Sequence, residues 1–167
     1  MERLGCSFTG HRSIAAEHRD SLGPLVARSI AYAYGEGCRD FFCGGALGFD
    51  TVAAREVVRF RLYHPDVRLV LLLPCTNQDE HWSSRERDAY NHLLSTADEV
   101  EYISDAYRDG CMRDRNLRLA EKCSILIAYC SRYNSGAGQT VRLAERLGRR
   151  VYNLWPTLSG TSGDAPK

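Results

Sequence analysis

Six short apolar runs alternate with five longer segments of helical period, and this alternation constrains the fold more than any other feature of the chain. Strands alternating with helices are the mark of βαβ units, in which parallel strands are joined by crossover helices. The predicted strands are Leu4–Thr9, Asp40–Cys43, Val67–Leu73, Glu99–Ile103, Ser124–Cys130 and Val151–Leu154. Each is β-branched, aromatic or leucine-rich, as a strand buried on both faces must be. The predicted helices are Leu22–Tyr34, Thr51–Tyr63, Ser83–Thr96, Cys111–Lys122 and Thr140–Leu147. Gly35 and Gly37 end the first, Pro65 closes the second and Gly148 caps the last. Right-handed crossovers then give a Rossmann-like, doubly wound α/β fold, a mostly parallel six-stranded sheet with helices on both faces.

The 167 residues fit one domain, expected over residues 1–155, while residues 156–167 are polar and small and are expected to form a disordered tail. A hydrophobic share of 44% supports a core, and a formal net charge of +1 supplies no general field for nucleic acid or an anionic membrane. Nucleic acid is therefore not the expected partner, and an anion must be caught locally. Seven cysteines without a C-x-x-C pair suggest reduced thiols, and no metal site is expected. Met1–Gly5 lead straight into a strand with no apolar signal region, and no run is long enough to span a membrane, so the expected location is the cytoplasm.

In a doubly wound sheet, every loop that leaves a strand and opens a helix faces one crevice at the carboxyl edge. In this chain those loops are polar or glycine-rich. The first contains Gly10, His11 and Arg12, and the second contains Gly44, Gly45, Gly48 and Asp50. The third contains Gln78 and Trp82, the fourth Arg115 and Asn116, and the fifth Asn134, Ser135, Gly136, Gly138, Gln139 and Thr140. Small residues let backbone approach a ligand, and the first N–H groups of a helix have no internal partner, so a phosphate satisfies them. The fifth loop carries this pattern most sharply, with Thr140 or Ser135 as a plain helix cap the competing reading. Asp50 reads first as an N-cap and second as a contact for a ribose hydroxyl. Arg115 near a helix start suits phosphate, whereas pairing of Arg113 and Arg115 with Asp109 or Asp114 is the alternative. His11 either donates to phosphate or caps a strand end, and Trp82 either stacks on a base or packs. The expected ligand is a small nucleotide derivative, with no cofactor required.

At these residues the chain resembles the YpsA-like branch of the SLOG superfamily. The resemblance rests on Ser7–Arg12, Gly44–Asp50, Asn77-Gln78 with Trp82, Cys111–Asn116 and Ser135–Thr140, and it covers roughly Leu4 to Leu154. It implies a Rossmann-like fold in a superfamily of LOG-type phosphoribohydrolases, DprA-type single-stranded DNA binders and members proposed to sense ADP-ribose or NAD. It also implies a homo-oligomer, by analogy. Met112–Asn116 is similar to the LOG M-x-x-R-K pattern, which would give Arg115 the catalytic arginine role, with Asn116 replacing lysine. Gly136–Leu143 is similar to G-G-x-G-T-x-x-E, but Leu143 stands at the glutamate position, so the carboxylate expected to assist glycosidic cleavage is missing. Gly45–Asp50 resembles the DprA pattern G-x-A-R-G-I-D, with Leu47 in place of its arginine. The expectation is a nucleotide-binding sensor or regulator, with an N-glycosidase and a DNA-binding module as alternatives.

Overall fold

Alternation of faces along the strands divides the buried residues into two layers. In β1 (Leu4–Gly10), Cys6 and Phe8 enter the larger core, whereas Ser7 on the opposite face donates to the Leu119 carbonyl at 2.7 Å. The same split runs through β2 (Cys38–Cys43), β3 (Arg68–Cys75) and β5 (Ile125–Tyr129): Phe41, Leu71 and Ile127 face one side, Phe42, Leu72 and Leu126 the other. Burial on both faces explains why these segments read as nearly continuous apolar runs. The edge strands, β4 (Glu99–Ser104) and β6 (Arg150–Asn153), are only partly buried and correspondingly more polar.

The computed structural model describes residues 3–160. Its six strands are all parallel in the order β4-β3-β2-β1-β5-β6. Helices α1 (Arg19–Gly35), α2 (Phe49–Arg61) and α3 (Ser84–Thr96) cover the larger core; α4 (Cys111–Lys122) and α5 (Gly136–Arg146) pack together on the opposite face. The expected doubly wound sheet is therefore present. The order in which strands are added reverses between β1 and β5, β2 to β4 lying on one side of β1 and β5 and β6 on the other, which opens a crevice at their carboxyl ends.

Two helix starts differ from expectation. Helix α2 begins at Phe49 instead of Thr51 because Gly48, at φ 82°, takes the N-cap position. Helix α5 begins at Gly136 instead of Thr140, because the Ser135 hydroxyl accepts the Gly138 amide at 3.0 Å. Residues 136–140 are thus the first turn of a helix and not a loop. The expected tail also begins too early: α6 (Trp155–Leu158) is a helical turn whose Trp155 and Leu158 pack against the core. The rest of that expected tail, residues 161–167, lies outside the described residues.

Candidate ligand-binding site

A cavity of about 640 Å³ occupies the crevice between β1 and β5, walled by residues 9–15, the first turns of α4 and α5, residues 131–132 and Trp155. Of the expected site residues, it brings together Gly10, His11, Arg12, Asp50, Arg115, Asn116, Ser135, Gly136 and Gln139. The guanidinium of Arg132, which no motif singles out, joins them. Arg12 and Arg132 form no ion pair among the described residues. The opposite edge of the sheet contrasts with this. There Arg3, Arg39, Arg68 and Arg150, at or beside strand starts, pair with Asp40, Asp66, Glu99 and Glu36 at 2.7–3.0 Å. Arg12 and Arg132 thus stand at the cavity without a carboxylate of the described residues in ion-pair contact.

The cavity's lining is electropositive for a second reason. Ser135 caps the Gly138 amide, but the Gly136 and Ala137 amides precede any intrahelical acceptor and lie at the cavity wall. A Cβ built on Gly136 would meet nothing within 4 Å, so the backbone here is open. Helix α2 makes no matching contribution: its Phe49 amide donates to the His11 carbonyl at 3.1 Å, and the Ala46 amide before it donates to Asp50 Oδ2 at 3.1 Å. The expectation of two bare helix starts is corrected to one, because the chain caps the other itself.

His11 sits between the two roles expected of it. Its Nε2 accepts the Ser131 amide at 2.8 Å, which ties the end of β1 to the loop after β5 and leaves the ring proton on Nδ1. Burial, then the nearby Arg132 charge, lowers its pKa from 6.5. His11 is therefore a neutral imidazole with one N–H to offer.

Behind the cavity lies a buried polar network. Arg115 Nη1 donates to the Gly44 carbonyl at 2.6 Å and Nε donates to Asn116 Oδ1 at 3.0 Å; Asn116 Nδ2 donates to Gln139 Oε1 at 3.0 Å. This network links α4 to the 44–48 loop and to α5. Pairing of Arg115 with Asp109 or Asp114 does not occur; Arg108 holds Asp114 instead, at 2.8 Å. Asp50, 5% exposed, is not the N-cap but the second residue of α2, and its Oδ1 is buried without a hydrogen-bond partner among the described residues. Burial pushes its pKa up to about 6, against the opposing Arg115 charge and the Ala46 amide.

The remaining expected residues lie elsewhere. A Cβ on Gly44 would sit 2.5 Å from Arg115 Nη1, one on Gly45 2.3 Å from Leu73 and one on Gly48 2.2 Å from the Arg12 carbonyl. These glycines make room for atoms of the protein itself. A Cβ on Gly138 would likewise collide with the Tyr133 backbone, and the buried Thr140 hydroxyl donates to the Gly136 carbonyl. Asn134 is exposed and outside the cavity wall. Leu143, at the position of the missing glutamate, is partly buried against the apolar cluster of α5.

Gln78 and Trp82 line a second cavity of about 550 Å³, together with Tyr107 and Met112. The two cavities share Arg12, Ala46 and Met112 as a common wall. Sequence reasoning missed Arg132, Trp155, Tyr107 and Met112; the rule that carboxyl-edge loops face the crevice, applied to every residue of those loops, would have found them. Among the described residues no cluster of three or more His, Cys, Asp or Glu is arranged to hold a metal, and no helix is long and apolar enough to cross a membrane.

Comparison with known proteins agrees with this architecture. A UPF0398 protein of Halalkalibacterium halodurans is 31% identical over 129 residues, covering 75% of this chain and 66% of its own length. The SPbeta prophage-derived protein YoqJ of Bacillus subtilis is 26% identical over 130 residues, 70% of this chain and 76% of that one. Among solved structures, DNA processing protein A (DprA) of Streptococcus pneumoniae superposes with a TM-score of 0.62 at 16% identity, over 89% of this chain and 49% of that one. DprA of Helicobacter pylori, described for its single-stranded DNA binding mode, gives 0.62 at 19% identity, over 89% of this chain and 63% of that one. At such identities the superposition shows the fold, and this chain spans one half to two thirds of those structures. The YpsA model, described as the YspA SLOG family, matches residues 16–140, and the chain belongs to that family.

Proposed function

We propose that the protein binds a phosphate-bearing nucleotide derivative, of the AMP, ADP-ribose or NAD kind, in the cavity between β1 and β5, and acts as a sensor or regulator of that ligand. One observation carries the reading: Gly136 and Ala137, whose amides precede any intrahelical acceptor, line one cavity with Arg12 and Arg132, which lack ion-pair partners among the described residues. Amides at a helix start and guanidinium forks are complementary to phosphate oxygens. Binding without turnover is favoured because the buried Asp50 is the cavity's carboxylate and the motif position for a catalytic glutamate holds Leu143, partly buried against the apolar cluster of α5. No cofactor enters this reading.

Thermal unfolding with AMP, ADP-ribose or NAD tests it. A ligand at a hundred times its dissociation constant adds about 2.7 kcal/mol, which raises the melting temperature of a domain this size by roughly 5–10 °C. Arg132→Ala should remove most of the shift, and the ligand should be recovered intact. No shift with any of the three would refute the proposal, and free base would favour the N-glycosidase alternative.

The DprA likeness supports a second reading, binding of single-stranded DNA. It predicts affinity that falls steeply with salt, because each phosphate contact releases counterions. Binding of oligodeoxynucleotides that is absent or indifferent to salt would exclude it.

A further inference from the structure

The two cavities at the carboxyl edge are contiguous but differ in chemistry. The first is lined by Arg12, Arg132 and the start of α5; the second is lined by Trp82, Tyr107 and Met112 together with Glu80 and His81, with Tyr107 and Met112 64% and 43% exposed. Exposed large apolar side chains gathered around a concavity mark a binding surface better than scattered ones do. The wall that the cavities share includes Arg12, which has no ion-pair partner among the described residues. A ligand that crossed the wall would therefore place negative charge at its middle and apolar surface at its far end.

The second cavity is also braced for a definite occupant. Thr76 and Tyr107 amides donate to the Asp105 carbonyl and to Asn77 Oδ1, at 3.2 and 3.0 Å, tying the loop after β3 to the loop after β4. Trp82 packs edge-on against Tyr90 at 5.1 Å, and Gln78 Nε2 donates to the Tyr90 hydroxyl at 2.9 Å. That bond uses the amide's donor end and leaves Gln78 Oε1 as the acceptor in the wall. A flat aromatic group with an N–H donor at its edge satisfies both the rings and this oxygen.

We infer that the cavity of Gln78, Trp82, Tyr107 and Met112 is a base subsite: the ligand is a dinucleotide whose phosphates bind in the first cavity and beside Arg12, and one of whose bases, bearing an exocyclic amine, enters the second. The inference rests on the phosphate-binding reading above and extends it, since it gives the adjoining second cavity an occupant. The commitment to a small dinucleotide over a DNA strand follows from the near-neutral charge of the chain and the single guanidinium on the shared wall.

Titration calorimetry with NAD, AMP and ribose 5-phosphate on the full chain tests it, using Trp82→Ala, Tyr107→Ala and Arg132→Ala. NAD is expected to bind at least tenfold more tightly than ribose 5-phosphate. Tyr107→Ala, at an exposed position that folding does not require, should lower NAD affinity by about tenfold and leave ribose 5-phosphate unchanged, the size expected for one lost stacking contact. Trp82→Ala should act in the same direction, whereas Arg132→Ala should weaken all three ligands. Replacing the adenine of NAD by hypoxanthine should also weaken binding, because the amine facing Gln78 is lost. If ribose 5-phosphate binds but NAD gains nothing and Tyr107→Ala changes nothing, the base subsite is wrong and the phosphate site stands. If none of the three binds, both fall. Binding of oligodeoxyadenylate in preference to NAD would overturn the dinucleotide in favour of a DNA strand.

Discussion

The substitution Asp50→Asn should gain stability over the parent protein as pH rises from 5 to 8. Burial raises the Asp50 carboxyl from 3.8 to about 6, more than the Arg115 charge and the Ala46 amide lower it. A group whose pKa rises on folding contributes stability that is complete below the unfolded value and is lost as pH rises through the folded one. At 1.36 kcal/mol per pKa unit, ionisation of Asp50 costs the fold about 1.6 kcal/mol at pH 5 and about 3 kcal/mol at pH 8. The side-chain amide of the variant keeps an oxygen for the Ala46 N–H and does not ionise. The difference in unfolding free energy between Asp50→Asn and the parent should thus shift by about 1.4 kcal/mol in favour of the variant between those two pH values. Urea unfolding of both proteins at pH 5 and pH 8 measures it, and comparing differences cancels every group the two share. A difference that does not change with pH would refute the reasoning and mean that Arg115 keeps Asp50 ionised throughout.

Other substitutions separate scaffold from site. Gly138→Ala forces a methyl group into the Tyr133 backbone and should cost about 2–4 kcal/mol in chemical unfolding, whereas Gly136→Ala meets nothing and should leave stability within about 0.5 kcal/mol while weakening AMP or NAD. Equal costs at the two positions would contradict this assignment. The His11 midpoint in a histidine NMR titration should lie below 6.5, and Arg132→Ala should move it upward by removing the second of the two causes; a midpoint at or above 6.5 would show that His11 is not held neutral. Arg115→Ala strips a buried donor from the Gly44 carbonyl and the charge beside Asp50, so it should cost about 3–5 kcal/mol, against less than about 0.5 kcal/mol for the exposed Arg132→Ala. Melting in the absence of ligand distinguishes them, and an Arg115→Ala protein as stable as its parent would refute the structural role.

The strands and the edge at which the polar loops gather are legible in the sequence because they follow from periodicity alone. Apolar runs buried on two faces have few alternatives, and once the strands are parallel the polar loops must share an edge. Helix starts are less legible. Ser135 and Thr140 both suit a cap, and only the approach of Tyr133 to Gly138 in three dimensions fixes Ser135 as the one used. The short helix after β6 is concealed by its composition: Pro156 and Thr157 look like tail, yet Pro is favoured in a first helical turn, and Trp155 and Leu158 supply the apolar contacts that hold it.

The glycine loops show why a site is harder to read than a fold. A glycine reports that something approaches the backbone closely, but not what. At Gly44, Gly45 and Gly48 the visitor is the protein itself: the Arg115 guanidinium, the Leu73 side chain and the Arg12 backbone. At Gly136 no atom among the described residues fills the space. The two cases look alike in sequence and differ only in what the rest of the chain delivers to them. The same holds for the arginines. Arg115 matches a family motif but spends two of its donor nitrogens on Gly44 and Asn116, whereas Arg132 matches nothing and stands at the cavity with no ion-pair partner among the described residues. A buried guanidinium that braces a loop has few donors left for a ligand, so in this chain the motif arginine serves the scaffold, and under the proposed function the anion falls to Arg12 and Arg132.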